Sequence, residues 1–283
     1  MIPTKAQRSR APSLDIPHGS ARWAPLVVAL LAVLAGCGGS ASAGPRTTLN
    51  VYAAASLKDA FAAEDAQFQS QNPGVTVQLT LNGSNVLEAQ LAQGATGDVF
   101  ASADLANMDK AGAAGLLAAS GAQPFAHNRL VVIVPKANPA KISSLTDLAQ
   151  SGVKIDVAGP SVPAGKYALQ ALDKLGAAPA YGPRYEAAVK ANIVSQEENV
   201  KAVVAKVGLG EVDAGFVYVT DAAAARDKVT TIAIPDQFNV IATYPIAALK
   251  NSPQSAAAAK YVAFILSPAG QAILAQFGFA PAQ

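Results

Sequence analysis

Apolar and polar residues alternate with a period of two at the start of the ordered pattern: Leu49, Val51 and Ala53 share one face and Asn50 and Tyr52 the other. That is the signature of a strand. The period then lengthens, and Leu57, Phe61 and Phe68 fall on one face of a helix that stops at Asn72-Pro73-Gly74. Val75, Val77, Leu79 and Leu81 alternate again, ahead of a helix around Leu87 and Leu91. Short buried strands are predicted at 98–101, 130–134, 155–158 and 215–219. Between them, Ala168, Leu172 and Leu175 mark one helical face, and Val200, Val203, Val204 and Val207 another. Strands separated by helices predict an α/β chain of parallel sheets with helices on both faces. Its 283 residues exceed the usual single-domain size, so two lobes are expected.

Composition narrows this picture only slightly. Half of the chain is hydrophobic and 14% is charged, which excludes disorder. The formal charge of +2 counts an N-terminal segment of different character. There a basic stretch leads into the apolar run Trp23–Ala35, too short to span a bilayer comfortably and closing on Leu34-Ala35-Gly36-Cys37. This resembles the lipobox of bacterial lipoproteins. The resemblance implies a signal peptide at 1–36, acylation of Cys37 as a new first residue, and a lipid-anchored protein on the extracytoplasmic face of the cell membrane. Residues 37–47, rich in Gly, Ser and Ala, read as a flexible tether. Lys5, Arg8, Arg10, Arg22 and Asp15 precede Cys37, leaving 17 basic and 18 acidic side chains after it. With that balance no concentrated basic surface for nucleic acid is expected. Cys37 is the only cysteine, so neither an internal disulfide nor a thiolate metal cluster can form.

In open α/β sheets, ligands sit beyond the carboxyl ends of strands, where loops enter helix N-termini. Four such points stand out. Ser56 and Asp59 have capping-box spacing after the first strand. Asn82-Gly83-Ser84-Asn85 ends the second strand; Asn85 either adds a donor or caps its helix. Pro163 suits the first turn of the helix that Val162-Pro163-Ala164-Gly165 opens. Asn199 caps the valine helix, unless a competing box from Ser195 and Glu198 starts it earlier. Each point alone is an ordinary cap. Together they offer unpaired amides, partial positive charge and small residues that admit an anion. Enzymatic alternatives are poorly supplied. After Cys37 there is one histidine, His127, and neither G-x-S-x-G, H-E-x-x-H nor a P-loop occurs. No clustered ligands suggest a metal cation.

Seven stretches then carry a specific resemblance: AAASL (53–57), GDVFASAD (97–104), RLVVIVP (129–135), VPAGKYALQALDKLG (162–176), ENVKAVV (198–204), GFVYVTDA (215–222) and SPAGQAILAQFGF (267–279). In this order, from about residue 48 to about 280, they resemble the periplasmic molybdate-binding proteins of ABC transporters. The resemblance implies a type II periplasmic-binding-protein fold with two α/β lobes, a ligand cleft between them and a two-crossing hinge. Lobe 1 would comprise 48–127 and 243–283, and lobe 2 residues 128–242. It implies capture of molybdate or tungstate by neutral donors and delivery to a transporter permease, by a monomer without cofactor. Carried onto matching positions, the ligand-binding residues are Ser56, Ser84, Ala164, Val200 and Tyr218, with Val200 favouring Asn199 as the cap. The family often has a run of serines at the second loop, where this chain has Gly83-Ser84-Asn85. Molybdate is a dianion that only accepts hydrogen bonds, so a donor-only pocket suits it, and Lys166 is expected to stay in solvent. Other expectations are another tetrahedral oxyanion such as sulfate, a serine-dependent hydrolase using Ser56 or Ser84, or a lipoprotein sensor of the same fold.

Overall fold

The computed structural model of the chain describes residues 46–282. The expected leader at 1–36, Cys37 and nearly all of the expected tether lie outside the described residues. The tether was expected to run to residue 47, but Thr47 already pairs with Val75 and opens the first strand.

Strands β1 (Thr47–Ala54), β2 (Val75–Asn82), β3 (Val99–Ala101) and β4 (Gln123–Asn128) build the first sheet. After one linking residue, Arg129, the chain enters a second sheet of β5 (Leu130–Pro135), β6 (Ile155–Ala158), β7 (Ile193–Glu197), β8 (Ala214–Tyr218) and β9 (Val229–Ala233). It returns to the first sheet with β10 (Ala242–Ala248) and the short β11 (Ala280–Pro281). The spatial orders are β11-β4-β10-β3-β1-β2 and β7-β6-β8-β5-β9. The chain therefore passes between the sheets twice, at Arg129 and over residues 234–241.

Both sheets are mixed, which corrects the expectation of parallel sheets. β1 runs parallel to β2 and β3, and β6 parallel to β7 and β8. Strands β10 and β5, which enter a sheet after a crossing, pair antiparallel with their neighbours. Only a helical crossover returns a strand parallel to the one before it. A chain arriving from the other sheet has no such constraint.

The helices are α1 (Lys58–Gln71), α2 (Ser84–Ala92), α3 (Leu105–Ala113), α4 (Pro163–Ala177), α5 (Tyr185–Ala191), α6 (Val200–Leu209), α7 (Val219–Ala224), α8 (Ser255–Leu266) and α9 (Pro268–Gln276). The faces read from periodicity are the buried ones: Phe61 and Phe68 on α1, Ala168, Leu172 and Leu175 on α4, Val203 and Val207 on α6. Truncating Phe61 to Ala would remove about 3–5 kcal/mol of such packing. Gly165 fixes how closely α4 rides on its sheet. A β-carbon there would lie 2.0 Å from the Ala158 carbonyl oxygen, so only glycine lets the helix start sit against β6.

Candidate functional site

Five helix starts meet at one closed cleft between the sheets. Its wall comprises Ala54, Ala55 and Ser56 at the end of β1, Asn82, Gly83 and Ser84 at the start of α2, and Ala103 after β3. From the other side come Val162, Pro163 and Ala164 at the start of α4, Asn199 and Val200 at the start of α6, and Tyr218 at the end of β8. Ser56, Ser84, Ala164, Val200 and Tyr218 are thus brought together. The cavity volume is about 10 Å³, far below the roughly 300–1,000 Å³ that drug-sized ligands occupy. No charged side chain belongs to the wall.

Each donor is set up locally. Ser84 is fully buried and its hydroxyl oxygen accepts the Ala103 amide at 2.9 Å, which leaves its proton free to be donated into the cleft. Ser56 departs from expectation. It lies within a 3-10 turn, Ala55–Leu57, ahead of α1, and makes no capping bond. Its hydroxyl instead shares a hydrogen bond of 2.9 Å with the Tyr244 hydroxyl. Asn199 is the cap of α6, its side chain accepting the Ala202 amide at 3.1 Å, and Ser195 belongs to β7. That geometry leaves the Val200 amide without an intrahelical partner. Ala164 follows Pro163 in the first turn of α4, so its amide is free in the same way.

Tyr218 completes the wall. It ends β8 and precedes α7, a fifth helix start not foreseen from sequence. The side chain is fully buried, and among the described residues its hydroxyl meets no partner in hydrogen-bond geometry. Burial, then the neighbouring Tyr244, raises its phenol well above the usual value, so it is a donor at any physiological pH. A buried, unsatisfied hydroxyl costs about 1–3 kcal/mol, and an acceptor in the cleft would recover it.

Asn85 does not cap α2. Its amide nitrogen donates to Ser161 at 3.2 Å across the cleft mouth, and its side-chain oxygen is buried without a partner. Lys166, expected in solvent, reaches across to buried Asp104 at 3.7 Å. Gly83 allows the two sides to touch, since a β-carbon there would lie 2.5 Å from the Glu198 carbonyl oxygen. Tyr244 had no signal in sequence, because it sits in a strand broken by Pro245; Asn82, at the second of the four helix starts, closes β2 and lines the cleft.

Neither serine meets a base. The partner of Ser56 is a tyrosine and that of Ser84 a backbone amide, while His127 pairs with Thr243 at 3.2 Å between β4 and β10. Among the described residues, no three His, Cys, Asp or Glu side chains gather as a metal site. Among the described residues, the wall offers hydrogen-bond donors and no side chain placed as a base for either serine.

The family model for bacterial extracellular solute-binding proteins matches residues 49–280. The chain is 42% identical over 258 residues to the molybdate-binding protein ModA of Mycobacterium tuberculosis, covering 89% of this chain and 94% of that one. It is 30% identical over 266 residues to a candidate ABC transporter substrate-binding lipoprotein, YvgL, of Bacillus subtilis, covering 91% and 98%. The solved substrate-binding domain of a candidate molybdenum ABC transporter from Clostridium difficile superposes with a TM-score of 0.62 at 32% identity, covering 84% of this chain and 100% of that one.

Proposed function

We propose, from the premise that this chain belongs to the family of bacterial extracellular solute-binding proteins, that it captures molybdate in the cleft between its lobes. Tungstate, an oxyanion of the same shape and charge, binds at the same place. The observation that carries the reading is the Tyr218 hydroxyl, buried without an acceptor in a cavity that holds no charged side chain. The Ser56, Ser84 and Tyr218 hydroxyls and the Ala164 and Val200 amides donate to the anion; a dianion with no proton of its own satisfies them all. Hydrogen phosphate would leave its own O–H unpaired in a dry site, at about 1–3 kcal/mol. The relatives' names support molybdate over other oxyanions.

The protein acts as a monomer, without cofactor. Its lobes, each one sheet with its helices, close about the two crossings, and the closed form is what the permease of an ABC transporter accepts. A lipid anchor on Cys37 keeps it at the extracytoplasmic face; the lipoprotein among its relatives supports this. Calorimetry with molybdate, tungstate, sulfate and phosphate tests the function. Molybdate and tungstate should bind, the smaller sulfate more weakly, and phosphate not at all. Tighter binding of phosphate than molybdate would overturn the donor argument, and preference for sulfate would reassign the substrate.

A further inference from the structure

Directly outside the cleft wall, three charged side chains join the lobes. The Lys201 ammonium lies 3.0 Å from an Asp221 carboxylate oxygen and 2.8 Å from one of Asp59. Lys201 follows Val200 on α6, Asp221 stands three residues after Tyr218 on α7, and Asp59 three residues after Ser56 on α1. Each charge is therefore carried by a helix start that also supplies a cleft residue.

The two carboxylates differ in kind. Asp221 is fully buried, belongs to the same lobe as Lys201, and among the described residues pairs with no other cation. Both groups sit on helices of one lobe, so their pairing does not depend on how the lobes stand to each other. Asp59 belongs to the opposite lobe and its side chain is 43% exposed, so water solvates it readily when the lobes part. The Lys201–Asp59 contact exists only when α6 and α1 come together. Other bridges across the cleft are longer: 3.7 Å for Lys166–Asp104, 3.2 Å for Asn85–Ser161 and 3.4 Å for Asn199–Asn82.

We propose that Lys201 is a positioning residue that latches the lobes over the bound anion, acting through Asp59 and without touching the ligand. The inference rests on anion capture in the cleft. A latch that forms after the anion has entered slows escape and leaves entry unchanged; it also acts through Asp59, whereas a direct ligand contact by Lys201 would be independent of that carboxylate. Its charge is held by two carboxylates, which reconciles a cation this close with an uncharged wall.

The test is a release assay on full-length protein, chasing bound radiolabelled molybdate with excess unlabelled molybdate. Asp59→Asn should speed release about twofold to fivefold, in the range of a partly exposed ion pair, with association unchanged. Lys201→Arg should keep slow release. In Asp59→Asn combined with Lys201→Met, the second change should add less than it does alone, because both remove one contact. Wild-type release from Asp59→Asn, or additive effects in the pair, would overturn the latch. If calorimetry finds that another oxyanion binds and molybdate does not, capture of molybdate fails, and the latch is then read by the same release assay with the anion that binds: Asp59→Asn should speed its release, and wild-type release would refute the latch.

Discussion

A tyrosine hydroxyl buried with no partner is an expense that a folded chain rarely carries, and at Tyr218 the cleft gives it a purpose. Tyr218→Phe removes the donor while keeping the ring that packs against Tyr244 at 5.8 Å. It should cost about 1.5–3 kcal/mol of binding, roughly ten- to a hundredfold in Kd, while the ligand-free protein melts no lower than wild type. Ser84→Ala should lose as much binding and also destabilise the free protein, because the Ala103 amide loses its acceptor. Molybdate titration and thermal melting of both variants separate the two effects; a stable Tyr218→Phe that binds normally would remove this hydroxyl from the site. Ser56 and Tyr218 were legible because they sit in recognisable motifs. Tyr244 was not, because its contact with Ser56 spans 188 residues and leaves no mark in either neighbourhood.

Among the elements, α1 carries a feature that periodicity could not reveal. Its apolar face was read from Leu57, Phe61 and Phe68, yet Glu64 and Asp65 are buried on it as well. Burial, then the adjacent Asp65, pushes Glu64 up to about 9; burial raises Asp65 to about 6, against a hydrogen bond of 2.6 Å donated by Tyr261. The folded state thus binds more protons than the unfolded one. The stability from Glu64 is full below its ordinary value of 4.5 and is lost as pH rises towards 9, by at most about 1.4 kcal/mol per unit. Melting temperature should therefore fall from pH 5 to pH 9, and Glu64→Gln should flatten the alkaline side; equal slopes would contradict the assignment. On α4, Gly165→Ala would force the helix start away from β6 and carry the Ala164 amide with it. We expect a loss of about 1–3 kcal/mol in stability together with weaker molybdate binding, both measurable on one purified variant. Strands β1, β2, β5 and β8 were legible from alternating or β-branched runs. Strand β10 was hidden by Pro245, which the sheet accommodates at a register shift between Tyr244 and Pro245. Strand β7 had no signal, since only Ile193 and Val194 are apolar in it and Val194 faces solvent.

For the whole molecule, the two passages between sheets are what bring distant motifs to one place, and a parallel-sheet reading alone could not have foreseen them. Ligand that binds only the closed native form stabilises it by mass action. At about 100 times its dissociation constant, molybdate should add roughly 2.7 kcal/mol and raise the melting temperature by about 5–10 °C. Phosphate should leave it unmoved, and equal shifts from both anions would refute selection by donors. The uncharged wall of the cleft has a separate outcome. Tyr218 is the one titratable side chain in that wall and stays protonated, so no proton is taken up in compensation and a loaded molecule carries the whole charge of the dianion in addition to its own. Empty and loaded forms should then elute apart on an anion-exchange column, which makes occupancy a quantity that can be read from a chromatogram and cargo state a difference in electrostatic potential that a membrane partner can sense before contact.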